Sequence, residues 1–391
     1  MSYPRKVRMG LVGGAGGFIG QVHRMAAGLD GEIELVCGAF SSSPERSREA
    51  GAALYLPPER VYGSYQEMLL REKGRDDGMD FLSIVTPNHL HAEIATAALL
   101  AGFHVLCEKP MTTNLASAEQ LVHTVAETGK HFCLMHNYSG YPMVKEARER
   151  IRNGSIGDIR KVLVEYPQGW LAGDFASAGV KHQSWKLDPE LAGGSCCLGD
   201  IGTHAFHLAE YVTGLQVTEL CADLSVFVDY KPLEDDANIL LHLSNGARGI
   251  LYASQVSIND ENSLAFRIYG SKGGLEWHQE EPNTLIAKWP DRPREVIRTG
   301  SGNAYLSAAA LGTTRIPAGH PEGFVEAFAN IYWEFARAVR ESVMAPTSRA
   351  AHDFPSAVDG LRGIVFVNAA WESQRSTGQK WFPLPCPPPV R

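Results

Sequence analysis

A glycine-rich segment near the N-terminus most constrains the fold of this chain. Six glycines fall between Gly10 and Gly20, directly after an apolar run over Val7–Val12 and before a helical pattern that begins near Phe18. Glycine permits a backbone with positive φ, and a bare backbone can approach a pyrophosphate at a helix N-terminus. A strand, such a turn and a helix form the context of a dinucleotide-binding fingerprint, although Gly20 falls one residue later than the usual third glycine. A tight turn without a ligand is the alternative.

The rest of the first third alternates short apolar runs with helical patterns. We expect strands over 34–40, 81–85, 104–107 and 132–136, with helices between them. Strands that alternate with helices of about 10 to 15 residues form βαβ units, and such units build a parallel sheet. After residue 140, strand-like runs follow one another with few helices between them. We therefore predict an α/β chain in which a doubly wound parallel sheet precedes an α+β domain with a largely antiparallel sheet.

The length of 391 residues accommodates two to three domains at roughly 150 residues per domain. We expect a dinucleotide-binding domain over residues 1–139 and a substrate and oligomerisation domain over residues 140–356. The second domain should contain helices over 202–213 and 323–343. A last helix and a proline-rich tail, which begins at Pro383, are expected to fill residues 357–391.

The composition excludes several classes of partner. Acidic residues number 44 and basic residues 36, which gives a formal net charge of -8 and argues against nucleic acid or an anionic membrane as the main partner. No stretch approaches the roughly 18 apolar residues of a membrane span. The seven cysteines are dispersed without a C-x-x-C pair, which favours a reducing compartment and hence the cytoplasm. The adjacent Cys196 and Cys197 are expected to be buried packing residues.

The residues after the second predicted strand bear on the choice of cofactor. An acidic side chain about 20 residues after the glycine loop would bind the 2′-hydroxyl of an adenosine ribose. Ser41, Ser42 and Ser43 stand there instead, with Arg46 and Arg48 beyond them. Hydroxyl groups and a nearby arginine accept a 2′-phosphate, and serines also bind a 2′-hydroxyl. NAD and NADP therefore both stay open.

Two polar tripeptides end neighbouring predicted strands. Thr86-Pro87-Asn88 follows one strand and Glu108-Lys109-Pro110 follows the next. Ligands of open α/β sheets bind at the carboxyl ends of the strands, and Pro110 forces the chain to turn there. We therefore predict that Lys109 points into a functional site. A surface lysine in a solvent-facing turn is the alternative.

A second constellation lies on the helix predicted over 202–213. Ile201, Ala205, Leu208 and Val212 form an apolar stripe that can pack into the domain, and Asp200 and His204 share an adjoining face. A carboxylate next to an imidazole raises the imidazole pKa and orients the ring, which suits a general base. Helix capping by Asp200 and a metal site formed with His207 are the alternatives, but no metal-site signature is present and no metal is expected.

Taken together, these motifs resemble the Gfo/Idh/MocA family of glucose–fructose oxidoreductase and inositol dehydrogenase. The resemblance covers nearly the whole chain and rests on four segments: the glycine loop ending in Gly20-Gln21-Val22-His23, Thr86-Pro87-Asn88, Glu108-Lys109-Pro110 and Asp200-x-x-x-His204. It implies an N-terminal Rossmann domain and a C-terminal domain whose large open sheet mediates homodimers or homotetramers. It also implies that Lys109, Asp200 and His204 are the catalytic residues, with Trp185-Lys186 where many members carry Trp-Arg.

The resemblance implies an NAD(P)-dependent dehydrogenase that oxidises a secondary hydroxyl of a sugar, cyclitol or glycoside. Lys109 would donate to the reacting oxygen, and His204, oriented by Asp200, would take the hydroxyl proton. Residues expected to contact the cofactor are Gly13, Gly14, Gly16, Gly17, Phe18, Ile19, Ser41, Ser42, Arg46, Thr86, Pro87, Asn88, His91, Glu108 and Lys109. Residues expected to contact the carbohydrate are Tyr138, Trp170, Lys181, His182, Trp185, Lys186, Arg315 and His320.

An NAD-dependent glycoside hydrolase is the alternative function. Such an enzyme oxidises a sugar hydroxyl transiently, eliminates the aglycone, adds water and returns the hydride, and the same lysine, aspartate and histidine serve both reactions. If Lys181, His182, Lys186 and Arg315 converge, their charges favour an anionic or sulfonated sugar. A non-catalytic regulator that binds the dinucleotide is a third hypothesis, against which the catalytic residues argue.

Overall fold

The computed structural model describes residues 5–173, 188, 192–228, 233–344 and 352–385. The chain forms two compact units. Unit 1 contains the described residues up to Asn137 and those between Phe328 and Leu361. Unit 2 contains those from Tyr138 to Ala327 and from Arg362 onward.

Unit 1 is built on a five-stranded sheet in which every neighbouring pair is parallel, in the order β2-β1-β3-β4-β5. Its strands are β1 (Val7–Gly13), β2 (Ile33–Ala39), β3 (Phe81–Val85), β4 (His104–Cys107) and β5 (Phe132–Leu134). All residues of β3 and β4 are buried, as expected for a parallel sheet covered on both faces. The predicted parallel sheet is confirmed, and the strand order reverses beside β1, where such sheets bind ligands.

Helices connect these strands, namely α1 (Phe18–Leu29), α2 (Pro44–Ala53), α3 (Tyr65–Lys73), α4 (His91–Ala101) and α5 (Leu115–Thr128). Side chains cap three of them: Ser43, Ser64 and Asn114 each accept a hydrogen bond from a backbone N–H in the first helical turn. The cap residue of α1 is Gly17, and no side chain caps that helix. The first N–H groups of α1 therefore lack the side-chain acceptor that α2, α3 and α5 have, and α4 lacks one as well.

Unit 2 is built on a nine-stranded sheet in the order β13-β12-β11-β10-β6-β9-β8-β7-β14. Its strands are β6 (Ile159–Pro167), β7 (Val217–Ser225), β8 (Asp236–Leu243), β9 (Arg248–Ser254), β10 (Ala265–Gly270), β11 (Gly274–His278), β12 (Thr284–Lys288), β13 (Glu295–Arg298) and β14 (Phe382–Pro383). Strands β6 and β9 are parallel and the other neighbours are antiparallel, so the predicted, largely antiparallel sheet is confirmed.

The interpretation of Pro383 as the start of a tail is wrong. Phe382 and Pro383 pair with Leu220 and Glu219 of β7, and the N–H of Leu384 donates to the carbonyl of Thr218 at 2.8 Å. Proline lacks an N–H, but an edge strand leaves one side of its backbone unpaired and so tolerates it. The edge of the sheet is therefore closed by the residues after the last helix.

The remaining helices are α6 (Pro142–Arg152), α7 (Thr203–Thr213), α8 (Ala308–Leu311), α9 (Phe324–Met344) and α10 (Ala357–Arg375). A π-helical turn over Leu198–Gly202 runs directly into α7. The predicted apolar stripe of Ile201, Ala205, Leu208 and Val212 lies in the core of unit 2, at most 3% exposed. Among the described helices, none has the length and apolarity needed to span a membrane.

Candidate active site

The glycine loop between β1 and α1 is shaped by close backbone contact. A Cβ atom on Gly20 would stand 2.5 Å from the Cα atom of Gly14, so only glycine fits there. Gly20 thus closes the loop against the helix despite its offset spacing. Gly17 has a φ of 85°, and a Cβ atom on it would meet nothing within 4 Å. The loop therefore leaves an open, uncapped helix N-terminus, which fits the pyrophosphate of a dinucleotide.

Contacts outside the motif hold the glycine loop. The guanidinium of Arg24 donates to the carbonyl of Gly14 at 2.7 Å, and the N–H of Ala15 donates to the carbonyl of Phe40 at 3.2 Å. Burial lowers the pKa of Arg24. Of the predicted loop residues, Phe18 is 70% exposed, whereas Ile19 packs against a buried cluster. Arg24 was not predicted as a loop contact because a single arginine on a helix belongs to no sequence motif.

The segment after β2 lies beside the same loop. Ser41 accepts a hydrogen bond from the N–H of Ser43, and Ser43 in turn caps α2, while Ser42 is exposed. The Nη2 atom of Arg46 lies 3.8 Å from the position that a Cβ atom on Gly16 would take. The structure therefore brings Arg46 next to the glycine loop, and the serines follow Phe40, whose carbonyl accepts from Ala15 of that loop.

The loops after β3 and β4 are joined by His91. Its ring is fully buried, with Nδ1 2.8 Å from the carbonyl oxygen of Pro110 and Nε2 2.9 Å from that of Thr86. Burial lowers the pKa of His91. Both ring nitrogens are occupied by backbone carbonyls, so His91 connects the two predicted motifs. The Oγ1 atom of Thr86 is buried and has no hydrogen-bond partner within the described residues.

Glu108 lies between β4 and the predicted catalytic lysine. Its Oε1 atom is 2.7 Å from Nε2 of His23, and its Oε2 atom accepts a hydrogen bond of 3.1 Å from the N–H of Lys109. Burial opposes ionisation of this carboxyl, but the His23 hydrogen bond and the charge of Lys109 outweigh it and lower the Glu108 pKa. An ionised carboxylate therefore lies beside Lys109 at the carboxyl edge of the parallel sheet.

In unit 2, the π-helical turn carries Asp200 and the first turn of α7 carries His204. The Oδ2 atom of Asp200 accepts a hydrogen bond of 3.1 Å from Nε2 of Gln255, a fully buried side chain. His204 is 5% exposed, and the ring of Tyr138 contacts it edge-on with centroids 4.8 Å apart. Hydrogen bonding therefore holds the side chain of Asp200, and packing holds that of His204. Gln255 was not predicted as a site residue.

Glu234 caps the helical segment that carries Asp200. Its Oε1 atom accepts hydrogen bonds from the N–H groups of Cys196 at 3.1 Å and Leu198 at 2.9 Å. The same oxygen accepts from the hydroxyl of Ser195. The Ser195 oxygen in turn accepts from the N–H of Gly199 at 3.0 Å. Burial raises the Glu234 pKa. The turn does not depend on Asp200 for capping. Cys196 and Cys197 are buried, as predicted.

The predicted carbohydrate contacts lie in differing surroundings. Tyr138 is buried, and its hydroxyl is 2.5 Å from that of Tyr166. Trp170 packs against the buried cluster that contains Leu171 and Cys196. The guanidinium of Arg315 lies 3.5 Å from the buried carboxylate of Glu322. His320 is exposed and contacts the carbonyl of Pro317. The predicted residues outside the described ones are Lys181, His182, Trp185 and Lys186.

Within the described ranges, no group of three or more His, Cys, Asp or Glu side chains is arranged to hold a metal ion. The proposed set of Asp200, His204 and His207 is therefore not assembled as a metal site.

Two family models match this chain. The model of an oxidoreductase family with an NAD-binding Rossmann fold matches residues 7–136, and the model of the GFO/IDH/MocA C-terminal domain matches residues 144–276. An uncharacterised oxidoreductase of Bacillus subtilis is 35% identical over 368 residues, which are 92% of this chain and 93% of that protein.

Two further relatives have known ligands or activities. A crystal structure of an inositol dehydrogenase homolog from Azotobacter vinelandii, complexed with NADH and myo-inositol, is 33% identical, covers 97% of this chain and 98% of that chain, and has a TM-score of 0.90. Levoglucosan dehydrogenase of Pseudarthrobacter phenanthrenivorans is 28% identical over 332 residues, 77% of this chain and 82% of the enzyme. With both domain models matched and an uncapped glycine cradle in unit 1, this chain belongs to the Gfo/Idh/MocA family of NAD-binding oxidoreductases.

Proposed function

We propose that this chain is a dehydrogenase that oxidises a secondary hydroxyl of a sugar, cyclitol or glycoside with NAD. The observation that carries the proposal is the ionised Glu108 beside Lys109, at the same sheet edge as the uncapped glycine cradle. A lysine at that edge can stabilise the negative charge that develops on an oxygen as its proton leaves. A parallel sheet that only bound a nucleotide would not need this charge pair.

The acid–base work is assigned to Lys109, His204 and Asp200. NAD, when bound, accepts the hydride. Lys109 donates a hydrogen bond to the reacting oxygen. His204 takes the hydroxyl proton, and Asp200, held by Gln255, orients it. Gly13, Gly14, Gly16 and Gly17 hold the pyrophosphate, with Ser41, Ser42 and Arg46 toward the adenosine ribose.

The substrate class is inferred from the relatives. Myo-inositol, a neutral cyclitol, is bound in the Azotobacter vinelandii structure. A second relative is a levoglucosan dehydrogenase. The positive charge of Arg315 is offset by Glu322, which supports a neutral polyol.

The test is to follow NADH absorbance and sugar products together. NAD and NADP are each offered with inositols, free sugars, anhydro sugars and glycosides. Stoichiometric NADH formation with a polyol supports the proposal. Glycoside cleavage without net NADH, or no turnover of any polyol by a folded protein that binds NAD, contradicts it.

Two lysine variants test the role of Lys109. Lys109→Met should lower kcat by about 10²-fold or more, the typical effect of removing one charge-stabilising group, while Kd for NAD changes little. Lys73→Met, at an exposed position of α3, is the control. Equal turnover of Lys109→Met and wild type would remove Lys109 from the mechanism.

We also propose that one face of the nine-stranded sheet binds another copy of this chain. Residues paired directly across eight strands share that face, and Leu240 and Ile250 within the row are 43% and 36% exposed. The row consists of Cys221, Leu240, Ile250, Leu163, Arg267, Glu276, Ile286 and Val296. An exposed apolar face of this kind is typical of an interaction surface.

Sedimentation analysis tests the assembly. The wild type should sediment as a dimer or tetramer, and the double variant Leu240→Asp/Ile250→Asp as a single chain. Leu70→Asp, at an exposed leucine of α3, is the control. A monomeric wild type, or an unchanged double variant, contradicts this interface.

A further inference from the structure

His23 is a fully buried histidine of α1, located just after the glycine cradle. Its Nε2 atom is 2.7 Å from Oε1 of Glu108, and its Nδ1 atom is 2.7 Å from the hydroxyl of Tyr332. That hydroxyl is 2.8 Å from the hydroxyl of Ser83 in β3. A line of hydrogen bonds therefore runs from Ser83 of β3 through Tyr332 of α9 to His23 of α1, and His23 contacts the Glu108 carboxylate.

We propose that His23 is a positioning residue that holds Glu108 as a fixed, ionised counter-charge beside Lys109. The proposal rests on the function assigned to Lys109 above. It adds a contribution from α1, the helix that follows the glycine cradle, because buried hydrogen bonds connect His23 of that helix to Glu108 and Glu108 to Lys109.

The direction of each hydrogen bond follows from the donor inventory. An ionised carboxylate only accepts, so Nε2 of His23 carries a proton and donates to Glu108. In the neutral ring, Nδ1 then accepts from the hydroxyl of Tyr332, which stays protonated because burial raises the Tyr332 pKa. The Tyr332 oxygen accepts in turn from Ser83. Tyr332 therefore selects the tautomer of His23 that can donate to Glu108.

The second carboxylate oxygen carries the effect to the lysine. Oε2 of Glu108 accepts from the N–H of Lys109 at 3.1 Å, so the orientation of the carboxylate fixes the backbone at Lys109. The charged or titratable groups that face Glu108 are His23 from α1, His91 from α4, Tyr332 from α9, and Cys107 and Lys109 next to it in the chain. Of the groups on other elements, His23 donates directly to the carboxylate.

Two substitutions of His23 separate hydrogen bonding from packing. His23→Gln can place an amide N–H near the position of Nε2 and keep the donor to Glu108. His23→Asn can place a polar atom near Nδ1, toward Tyr332, but cannot reach Glu108. A packing role predicts similar losses in both variants, whereas the proposal predicts a loss in His23→Asn that His23→Gln largely rescues. His104→Asn, at another buried histidine of unit 1, is the control.

The first measurement uses the protein without cofactor or substrate. The amide proton of Lys109 donates to Glu108, so its NMR shift in protein labelled with ¹⁵N-lysine reports ionisation of that carboxyl. The signal is assigned by its absence from the Lys109→Arg spectrum. Because His23 lowers the Glu108 pKa, His23→Asn should move the titration midpoint upward by about one pH unit or more. His23→Gln and His104→Asn should stay near wild type.

The second measurement is the pH profile of turnover. In His23→Asn the acidic limb should move to higher pH, and turnover near neutral pH should fall about tenfold with Kd for NAD within about twofold of wild type. An unshifted or undetectable Lys109 titration in folded His23→Asn, or equal shifts in His23→Asn and His23→Gln, would overturn the proposal. If no polyol is oxidised by wild type, the proposed function fails, and the NMR titration still decides the role of His23.

Discussion

Substitution of Gly20 by alanine tests whether the cradle binds NAD. The added Cβ would stand 2.5 Å from the Cα of Gly14, whereas ordinary contacts begin at 3.4 Å, so the loop backbone must move by about 1 Å. A displacement of that size stretches hydrogen bonds of about 2.9 Å beyond useful length. Loss of one charge-assisted hydrogen bond from backbone N–H to phosphate costs about 1.5 to 3 kcal/mol, so Kd for NAD should rise roughly 10- to 150-fold.

Gly28 provides the matched control because it lies in the same helix. A Cβ atom on Gly28 would meet nothing within 4 Å. Gly28→Ala should therefore leave Kd for NAD unchanged and raise the free energy of unfolding by about 0.5 to 1 kcal/mol, since alanine restricts the unfolded chain. Calorimetric titration with NAD and urea unfolding of both variants provide the measurements. NAD affinity within twofold of wild type in folded Gly20→Ala would refute the assignment of the cradle.

Two further predictions concern the stability of unit 1. Glu72→Ala removes the buried carboxylate 2.5 Å from the guanidinium of Arg60 and leaves the half-exposed carboxylate of Asp77, 3.7 Å away. The free energy of unfolding should fall by about 3 kcal/mol in urea titrations, the lower end for breaking a buried ion pair; a loss under about 1 kcal/mol would contradict this. Burial lowers the pKa of His104 to about 3, so the native ring stays neutral while the unfolded ring binds a proton below about pH 6.5. As the pH falls from about 6 to 3, the free energy of unfolding should therefore decrease by up to about 1.4 kcal/mol per pH unit. The decrease should be smaller in His104→Asn. Equal slopes in His104→Asn and wild type would contradict this prediction.

Much of unit 1 could be predicted because its pattern is local. The glycine loop, each apolar run and each polar strand end consist of residues that are neighbours in the sequence. The strands β3 and β4 have the predicted bounds, 81–85 and 104–107. Parallel strands place their carboxyl ends at one edge, so adjacency of Lys109 and Thr86 follows from topology alone.

Contacts between distant segments were not accessible to the same reasoning. Tyr332 lies 309 residues from its partner His23, and an amphipathic helix shows that it has a buried face without showing which surface covers it. Regular helical geometry was assumed between Asp200 and His204, whereas the structure has a π-helical turn before α7. That turn depends on Glu234, whose hydrogen bonds reach back 36 to 39 residues.

The two buried glutamates show most clearly what a sequence cannot display. Glu108 and Glu234 are 7% and 0% exposed, and burial alone would raise the pKa of each. Glu108 faces the imidazole of His23 and the charge of Lys109, and its pKa is lowered. The hydrogen bonds of Glu234 come from a serine hydroxyl and backbone amides, and its pKa is raised. One glutamate therefore ionises more readily beside a lysine, while the other caps a helical turn and retains its proton more readily. The difference lies in residues that fold against each carboxyl from elsewhere in the chain, so the same amino acid performs opposite electrostatic tasks in the two units.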